Sequence, residues 1–442
     1  MHSAQPSVAE ARRLHGQLYD MLTQSQYWSA DRMAAHQRGQ LAHLLRHARA
    51  TVPFYETRLD AVLGADGEID WDRWHEIPVL TRADLQTRYD AMQSGASPPG
   101  HGEIMQSRSS GSTGQPIVTS QNALAALAAS SATARAYDWH GIDVARTHVC
   151  VFGDDPQVGA YPDGLLHEPW GPPALRTGAP GRQYDLNLAA SPDQALEFIQ
   201  RRRPSYLSGL VTRLSVLAHE VLRRGLDIRV EAILPFGEAV SPARRKLFDD
   251  AFGARTIPFY ASQETYRIAH ACPMADHYHV NAELMLVEVV GDDGRPAAAG
   301  QPGRVVITPF YNTAQPLIRY QIGDIATASG NDCRCGRTLP VLGDILGRIA
   351  HMFRLPDGRP ILPNISDDDV LELGAEIWQL AQVAPDRLEF RYVPGERAGD
   401  EDRFAQRLKA QLHPDFEIAF RRLASSDFQE RRKFIPYLCE LA

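Results

Sequence analysis

The 442-residue chain is almost without lysine: Lys246, Lys409 and Lys433 are the only three, and the other 43 basic residues are arginine. Basic charge is also in deficit overall, 46 Lys+Arg against 54 Asp+Glu, for a formal charge of −8. A chain with no basic surplus lacks the electrostatic footprint of a general nucleic-acid binder. No apolar run reaches the ~20 residues that a membrane-spanning helix needs. The alanine-rich stretch from Ala123 to Ala136 is interrupted by Ser130, Ser131, Thr133 and Arg135. Cysteine is scarce, and five in so long a chain do not read as a disulfide framework. The stretch from Met1 to Gly16 carries Glu10, Arg12 and Arg13 and no apolar core, so a secretory signal is not expected and the expected location is cytoplasmic. Internal repeats and low-complexity segments are absent.

What is present is ordinary globular material, 44% hydrophobic and 23% charged, long enough for about three domain-sized units. Met33, Leu41, Leu44 and Leu45 recur at helical spacing before Val52-Pro53-Phe54-Tyr55 breaks the pattern, and Thr81 with Asp84 reads as an N-cap with its reciprocal acid. A helix is expected from Asn122 to Tyr137, then a buried strand from His148 to Phe152. Ser191-Pro192-Asp193 starts a helix running to about Arg203, followed by a strand from Tyr206 to Leu210, a helix from Thr212 to Arg224 and a strand from Val230 to Leu234. Ser241-Pro242 opens a further helix that Gly253 closes, and Thr256 to Tyr260 returns as strand. Strand alternating with helix predicts a parallel α/β core. Past Tyr260 the texture becomes β, with Val280, Ala282, Leu284 and Leu286 alternating, then strands at Gly303–Thr308 and Asp324–Ala328. Beyond Leu346-Gly347-Arg348, a helix (Asp367–Leu373), a strand (Leu388–Val393), a helix (Arg403–Leu412) and a strand (Glu417–Arg421) form a small α+β unit. The expected fold is therefore α/β: a large N-terminal domain of parallel and mixed sheets with helices plus a β subdomain, and a small mobile C-terminal α+β domain.

The most informative stretch is Ser109-Ser110-Gly111-Ser112-Thr113-Gly114-Gln115-Pro116. Small residues let backbone N–H groups turn inward, and the hydroxyls can donate to phosphate oxygens. It lacks the spacing and the lysine of a Walker loop. Three further segments sit where a nucleotide site needs them: Phe236-Gly237-Glu238-Ala239 and Tyr260-Ala261-Ser262-Gln263-Glu264 after strand ends, and Leu317-Ile318-Arg319-Tyr320-Gln321-Ile322-Gly323-Asp324 before a β segment.

With Leu41 to Tyr55, Trp74 to Leu85, Gly347-Arg348 and Arg432-Lys433-Phe434 added in order, nearly the whole chain resembles the AMP-forming adenylating superfamily, specifically its phenylacetate–CoA ligase-like branch. The resemblance implies that an organic carboxylic acid, aromatic by resemblance, is activated with ATP as acyl-adenylate and passed to a thiol, either CoA or a carrier-protein arm. It implies that Ser109, Ser110, Gly111, Ser112, Thr113 and Gly114 hold the β- and γ-phosphates, and that Gly237, Glu238 and Ser262 belong to the same nucleotide site. Tyr260 would stack on adenine, Asp324 would accept from the ribose hydroxyls, Arg348 would lie near ribose or phosphate, and Glu264 would bind Mg²⁺. Lys433 would be the catalytic cation, carried by a domain of residues 348–442 that closes over residues 1–347; a compact ammonium suits contact with reacting oxygens better than a planar guanidinium. Tyr137, Trp139, His140 and Phe236 are candidates for lining the acyl pocket.

Cys272 and Cys333-Arg334-Cys335-Gly336, with His279 preferred over His277 and His270, fit a structural zinc site of three thiolates and one imidazole in a β subdomain of about 261–345. Its bland alternative is three reduced core cysteines. The pattern departs from the family at three places. Gln115 stands where many relatives have lysine, Ala261 replaces a glycine, and Ala350 occupies the place of an acidic hinge residue. Two other readings stay open: an AMP-forming ligase that passes the acyl group to an amine or hydroxyl, and a non-catalytic nucleotide- or zinc-binding scaffold.

Overall fold

The computed structural model describes residues 8–108, 117–153, 155, 157–330, 333–363, 365–395, 399–424 and 436–441. The expected phosphate loop from Ser109 to Gly114 and the expected catalytic Lys433 lie outside these. The chain forms two compact units, one of Met1–Val144, Gly171–Ala179 and Phe259–Leu346, the other of Ala145–Trp170, Pro180–Pro258 and Gly347–Ala442. Among the described residues no helix is long and apolar enough to cross a membrane.

The first unit is built on a seven-stranded sheet in the spatial order Met285–Val290, Pro302–Pro309, Tyr320–Ala328, Val341–Arg348, Tyr278–Val280, Tyr266–Ala271, Phe259–Ser262. Its core joins Val305, Ile307, Tyr320 and Ile268 to Met33 of the Ala30–Thr51 helix and to Leu80 and Leu85. Leu80 bridges strand residue Tyr320: its N–H donates to the Arg319 carbonyl at 2.9 Å, and its own carbonyl accepts from the Gln321 N–H at 2.9 Å. The Arg82–Thr87 helix follows with the expected capping box between Thr81 and Asp84. A hairpin of Ile104–Arg108 and Val118–Asn122 flanks the serine-rich residues, and Asn122 then caps the Ala123–Trp139 helix through the Ala125 N–H. That hairpin is not among the elements expected from the sequence.

The second unit holds a six-stranded sheet in the order Leu165–His167, Gln183–Leu186, His148–Val151, Tyr206–Leu210, Ala232–Phe236, Arg255–Thr256. Five strands are parallel and the Leu165–His167 edge is antiparallel. Helices Pro192–Arg202, Val211–Arg224 and Pro242–Phe252 bury Phe198, Leu214, Leu217 and Phe248 against Val149, Val151 and Leu207. Near-continuous apolar strands are what a sheet covered by crossover helices requires. Residues 347–442 contribute a second sheet to this unit, ordered Glu417–Arg422, Arg387–Pro394, Ala375–Ala384, Tyr437–Cys439, with Phe390 and Phe404 in its core.

Two expected strands are redrawn. Thr256 ends a strand of the parallel sheet whereas Phe259–Ser262 begins in the antiparallel one, so the run from Thr256 to Tyr260 is two elements. The alternation through Val280, Ala282, Leu284 and Leu286 is also not one strand. Residues 281–284 form a turn between Tyr278–Val280 and Met285–Val290, with Asn281 and Glu283 wholly buried inside it.

Candidate active site

In the first unit, the antiparallel pairing of Phe259–Ser262 with Tyr266–Ala271 forces a tight turn at 263–265, and Tyr266 closes it at φ +61°. Left-handed backbone is uncommon for a bulky side chain and marks a place where surrounding structure dictates the conformation. The turn is pinned by Gln121, whose side-chain amide donates to the carbonyls of Gln263 (3.1 Å) and Glu264 (2.7 Å). Ser262 and Thr265 share a hydroxyl hydrogen bond of 2.9 Å. Gln121 belongs to the hairpin that flanks the serine-rich residues, so the hairpin and this turn are one construction.

The side chains converge around it. The buried Tyr260 hydroxyl donates to Asp324 Oδ2 at 2.8 Å, and Asp324 follows Gly323 (φ +89°) on the Tyr320–Ala328 strand. Tyr320, on the same strand, donates to Glu264 Oε1 at 3.4 Å, and Arg82 Nη1 lies 3.9 Å from that oxygen. Arg82 is a neighbour of Glu264 that sequence reading passed over; its only signal was its place directly after the Thr81 cap. The structure thus brings together Tyr260, Ser262, Glu264 and Asp324. Beside them a small cleft is lined by Gln121, Ala125, Glu264, Thr265, Tyr266 and Arg267 among others.

In the second unit, Gly237 follows the Ala232–Phe236 strand at φ +81°, where an added Cβ would meet Leu210 Cδ2 at 2.8 Å. Only glycine fits there without a shift. Glu238 turns its Oε2 onto the start of the Val211–Arg224 helix, accepting from the Thr212 N–H (2.8 Å) and hydroxyl (2.7 Å), with Arg244 at 3.8 Å. An acid on a helix N-terminus is favourable in itself, so this oxygen has a structural duty. Glu238 Oε1 is buried with no hydrogen-bond partner among the described residues. Arg348 ends the Val341–Arg348 strand, directly after Gly347 at φ +144°.

Two proposed pocket residues are committed to packing instead. Trp139 stands edge-on to His270 and His279, donates to Gln26 Oε1 at 2.8 Å and carries Arg337 over its ring at 4.4 Å. His140 is buried with Nε2 3.0 Å from the Ala271 carbonyl.

The cysteines gather with two histidines. One ligand atom each from Cys272, His277, His279 and Cys333 lies within 4.8 Å of all the others. Cys272 and Cys333 sulfurs are 3.5 Å apart, His277 Nε2 is 3.1 Å from Cys333, and His279 Nε2 is 3.2 Å from Cys335. Burial pushes His279 down to about 4, which keeps its ring neutral and able to ligate. His277 is the group that sequence reasoning set aside. Two histidines alternate across a residue here, and spacing alone did not reveal that the Cys333 arm reaches back to the first.

No family model matches the chain. Over 343 residues it is 27% identical to the phenylacetate-coenzyme A ligase of Thermus thermophilus, covering 73% of this chain and 72% of that protein. In sequence the chain is thus similar to a phenylacetate–CoA ligase. Solved structures of CoA ligases share its fold. A 2-hydroxyisobutyryl-CoA ligase in the postadenylation state, with 2-HIB-AMP, superposes at a TM-score of 0.72 with 20% identity, over 94% of this chain and 92% of that one. An anthranilate CoA ligase with anthranoyl-AMP gives 0.51 and 14%, over 72% of this chain and 63% of that one.

Proposed function

We propose that this chain joins the carboxylate of an organic acid to the α-phosphate of ATP with loss of pyrophosphate, and passes the acyl group to the thiol of coenzyme A. The observation that carries the reading is the Tyr260–Asp324 pair, joined at 2.8 Å, beside Glu264, Tyr320 and Arg82 on one patch of the first unit. Similarity to the Thermus ligase supports the reaction class. An aromatic acid rests on family resemblance alone, as does a carrier-protein thiol as the alternative acceptor.

In this reading the flat ring of Tyr260 faces adenine while Asp324, held by the Tyr260 hydroxyl, accepts from the ribose. Residues Ser109–Gly114, Gly237, Glu238 and Ser262 surround the phosphates, with Arg348 near ribose or phosphate. Glu264, a hard oxygen donor at the cleft, would hold magnesium, which when bound neutralises charge on the departing pyrophosphate. Arg82 steadies the Glu264 carboxylate at the oxygen that Tyr320 also meets. Lys433, in a closing segment of residues 348–442, neutralises charge on the reacting oxygens, and adenylation then proceeds by positioning and electrostatics. Cys272, His279 and Cys333 with either His277 or Cys335 would hold zinc: a soft, borderline donor set this close suits that ion, and four protein ligands make it structural.

The test is acid-dependent exchange of labelled pyrophosphate into ATP over a panel of aromatic and aliphatic acids. Exchange with some acids is expected, and Lys433→Ala should slow it by about 10²–10³-fold while ATP binding stays measurable. A panel with no active acid would overturn the reading.

A further inference from the structure

The two fully buried arginines in the first unit come with carboxylates; the half-buried Arg267 does not. Arg135 reaches Glu283 at 2.6 Å and Arg319 reaches Glu288 at 3.2 Å. Arg267 has neither a carboxylate within ion-pair distance nor a side-chain hydrogen bond to any other described residue. It is half-buried: its guanidinium carbon lies 3.4 Å from the centre of the Phe259 ring, and Tyr137 adds a second aromatic neighbour. Burial lowers its pKa to about 10, which still leaves it charged at neutral pH. A half-buried guanidinium with no carboxylate of its own is open to pairing with a bound anion.

The placement shows where a partner would come from. Arg267 pairs with Ala261 across the antiparallel strands, and Phe259 and Ala261 share a face of their strand. That strand carries Tyr260, and the turn joining the pair carries Glu264. Arg267 also lines the cleft that Glu264 lines. A planar guanidinium stacked on a ring leaves its edge free to grip a carboxylate with two parallel N–H donors.

We propose that Arg267 recognises a second carboxylate on the acid substrate, so that the chain prefers dicarboxylic acids to acids with a neutral tail. This rests on the adenylation reading and names its substrate class. Arg267 acts in specificity: the reacting carboxylate must stay a free nucleophile, and a tight guanidinium clamp would blunt it.

Pyrophosphate exchange by the full chain is compared over matched pairs, benzene-1,3-dicarboxylate with its monoamide and glutarate with its monoamide. A diacid should exceed its monoamide in kcat/KM by about 10- to 100-fold, the worth of a charged hydrogen-bonded pair. Arg267→Gln should bring that ratio to within about threefold, and Arg267→Lys should restore part of it. A wild-type ratio near one overturns the proposal while adenylation stands. So does an Arg267→Gln effect equal on both members of each pair, which would assign the cation to the reacting carboxylate or to folding. A rise in the KM for ATP alone would assign it to phosphate and also overturn it. If no acid supports exchange, adenylation itself fails, and calorimetric titration with benzene-1,3-dicarboxylate still decides: binding weakened about tenfold in Arg267→Gln supports the site, and no binding to the wild-type chain removes it.

Discussion

Tyr260 shows how much one hydroxyl is asked to do. Its ring packs against the core of the first unit and its oxygen orients Asp324. Tyr260→Phe keeps the ring and removes the bond, so the KM for ATP should rise about 5- to 10-fold, the worth of one hydrogen bond to a charged acceptor, with little change in thermal stability. Steady-state kinetics with ATP varied checks this; an unaltered KM would detach the pair from nucleotide binding. The sequence singled out Tyr260, Glu264 and Asp324 through the order of several segments along the chain and a family resemblance, and the structure brings the three together. Arg82 and His277 were not legible, since each matters through a residue distant in sequence, Glu264 and Cys333, and only tertiary packing joins those pairs.

At the scale of elements, Arg319 explains why two distant sequence signatures belong together. It adopts φ +52° and is almost wholly buried, giving Nη1 hydrogen bonds to the carbonyls of His75 (2.7 Å) and Ile77 (2.9 Å) while its other arm meets Glu288. The Trp74–Leu85 segment is thereby stitched to the strand that bears Tyr320 and Asp324. Arg319→Met leaves those carbonyls and Glu288 uncompensated and should cost about 3–5 kcal/mol, read as a lowered denaturation midpoint. Helix starts were readable at this scale because caps are local: Ser191 and Gln194 form their box as the residues indicate. The strand Ala375–Ala384 escaped because Gln379 and Gln382 sit buried within it. Gln382 is satisfied by the Arg354 backbone, at 2.8 and 2.7 Å, and by the Pro385 carbonyl at 3.2 Å, partners no period-2 pattern announces. Likewise Asn281 and Glu283 fill a turn because Arg135 reaches both, so their alternation with apolar neighbours imitates a strand.

The parallel sheet of the second unit has an acid sensitivity built into its centre. His148 lies between Gln183 and Ser208, at 3.0 and 2.8 Å, and burial lowers it to about 4, with Gln183 and Asp185 opposing. The unfolded ring titrates near 6.5, so the native state gives up nothing above that value. As pH falls from 6.5 toward 4 the unfolded chain takes a proton that the folded one refuses, and about 3 kcal/mol is lost. His148→Gln should flatten the fall in unfolding midpoint over that window, compared with wild type in the same buffers; parallel curves would clear His148 of the effect. For the first unit, the expected outcome of chelation is a melting temperature lower by roughly 5 °C or more, with about one zinc released per chain. Plasma emission spectrometry of the purified protein checks the metal, and Cys272→Ser should bring the same loss without chelator. The sulfurs of Cys272 and Cys333 carry one more consequence. They stand 3.5 Å apart, only about 1.5 Å beyond bonding distance, and Cys272 is 61 positions upstream. Handled in air after chelation, the protein would age into a cystine-linked form, so preparations for kinetics belong under reductant or an inert atmosphere.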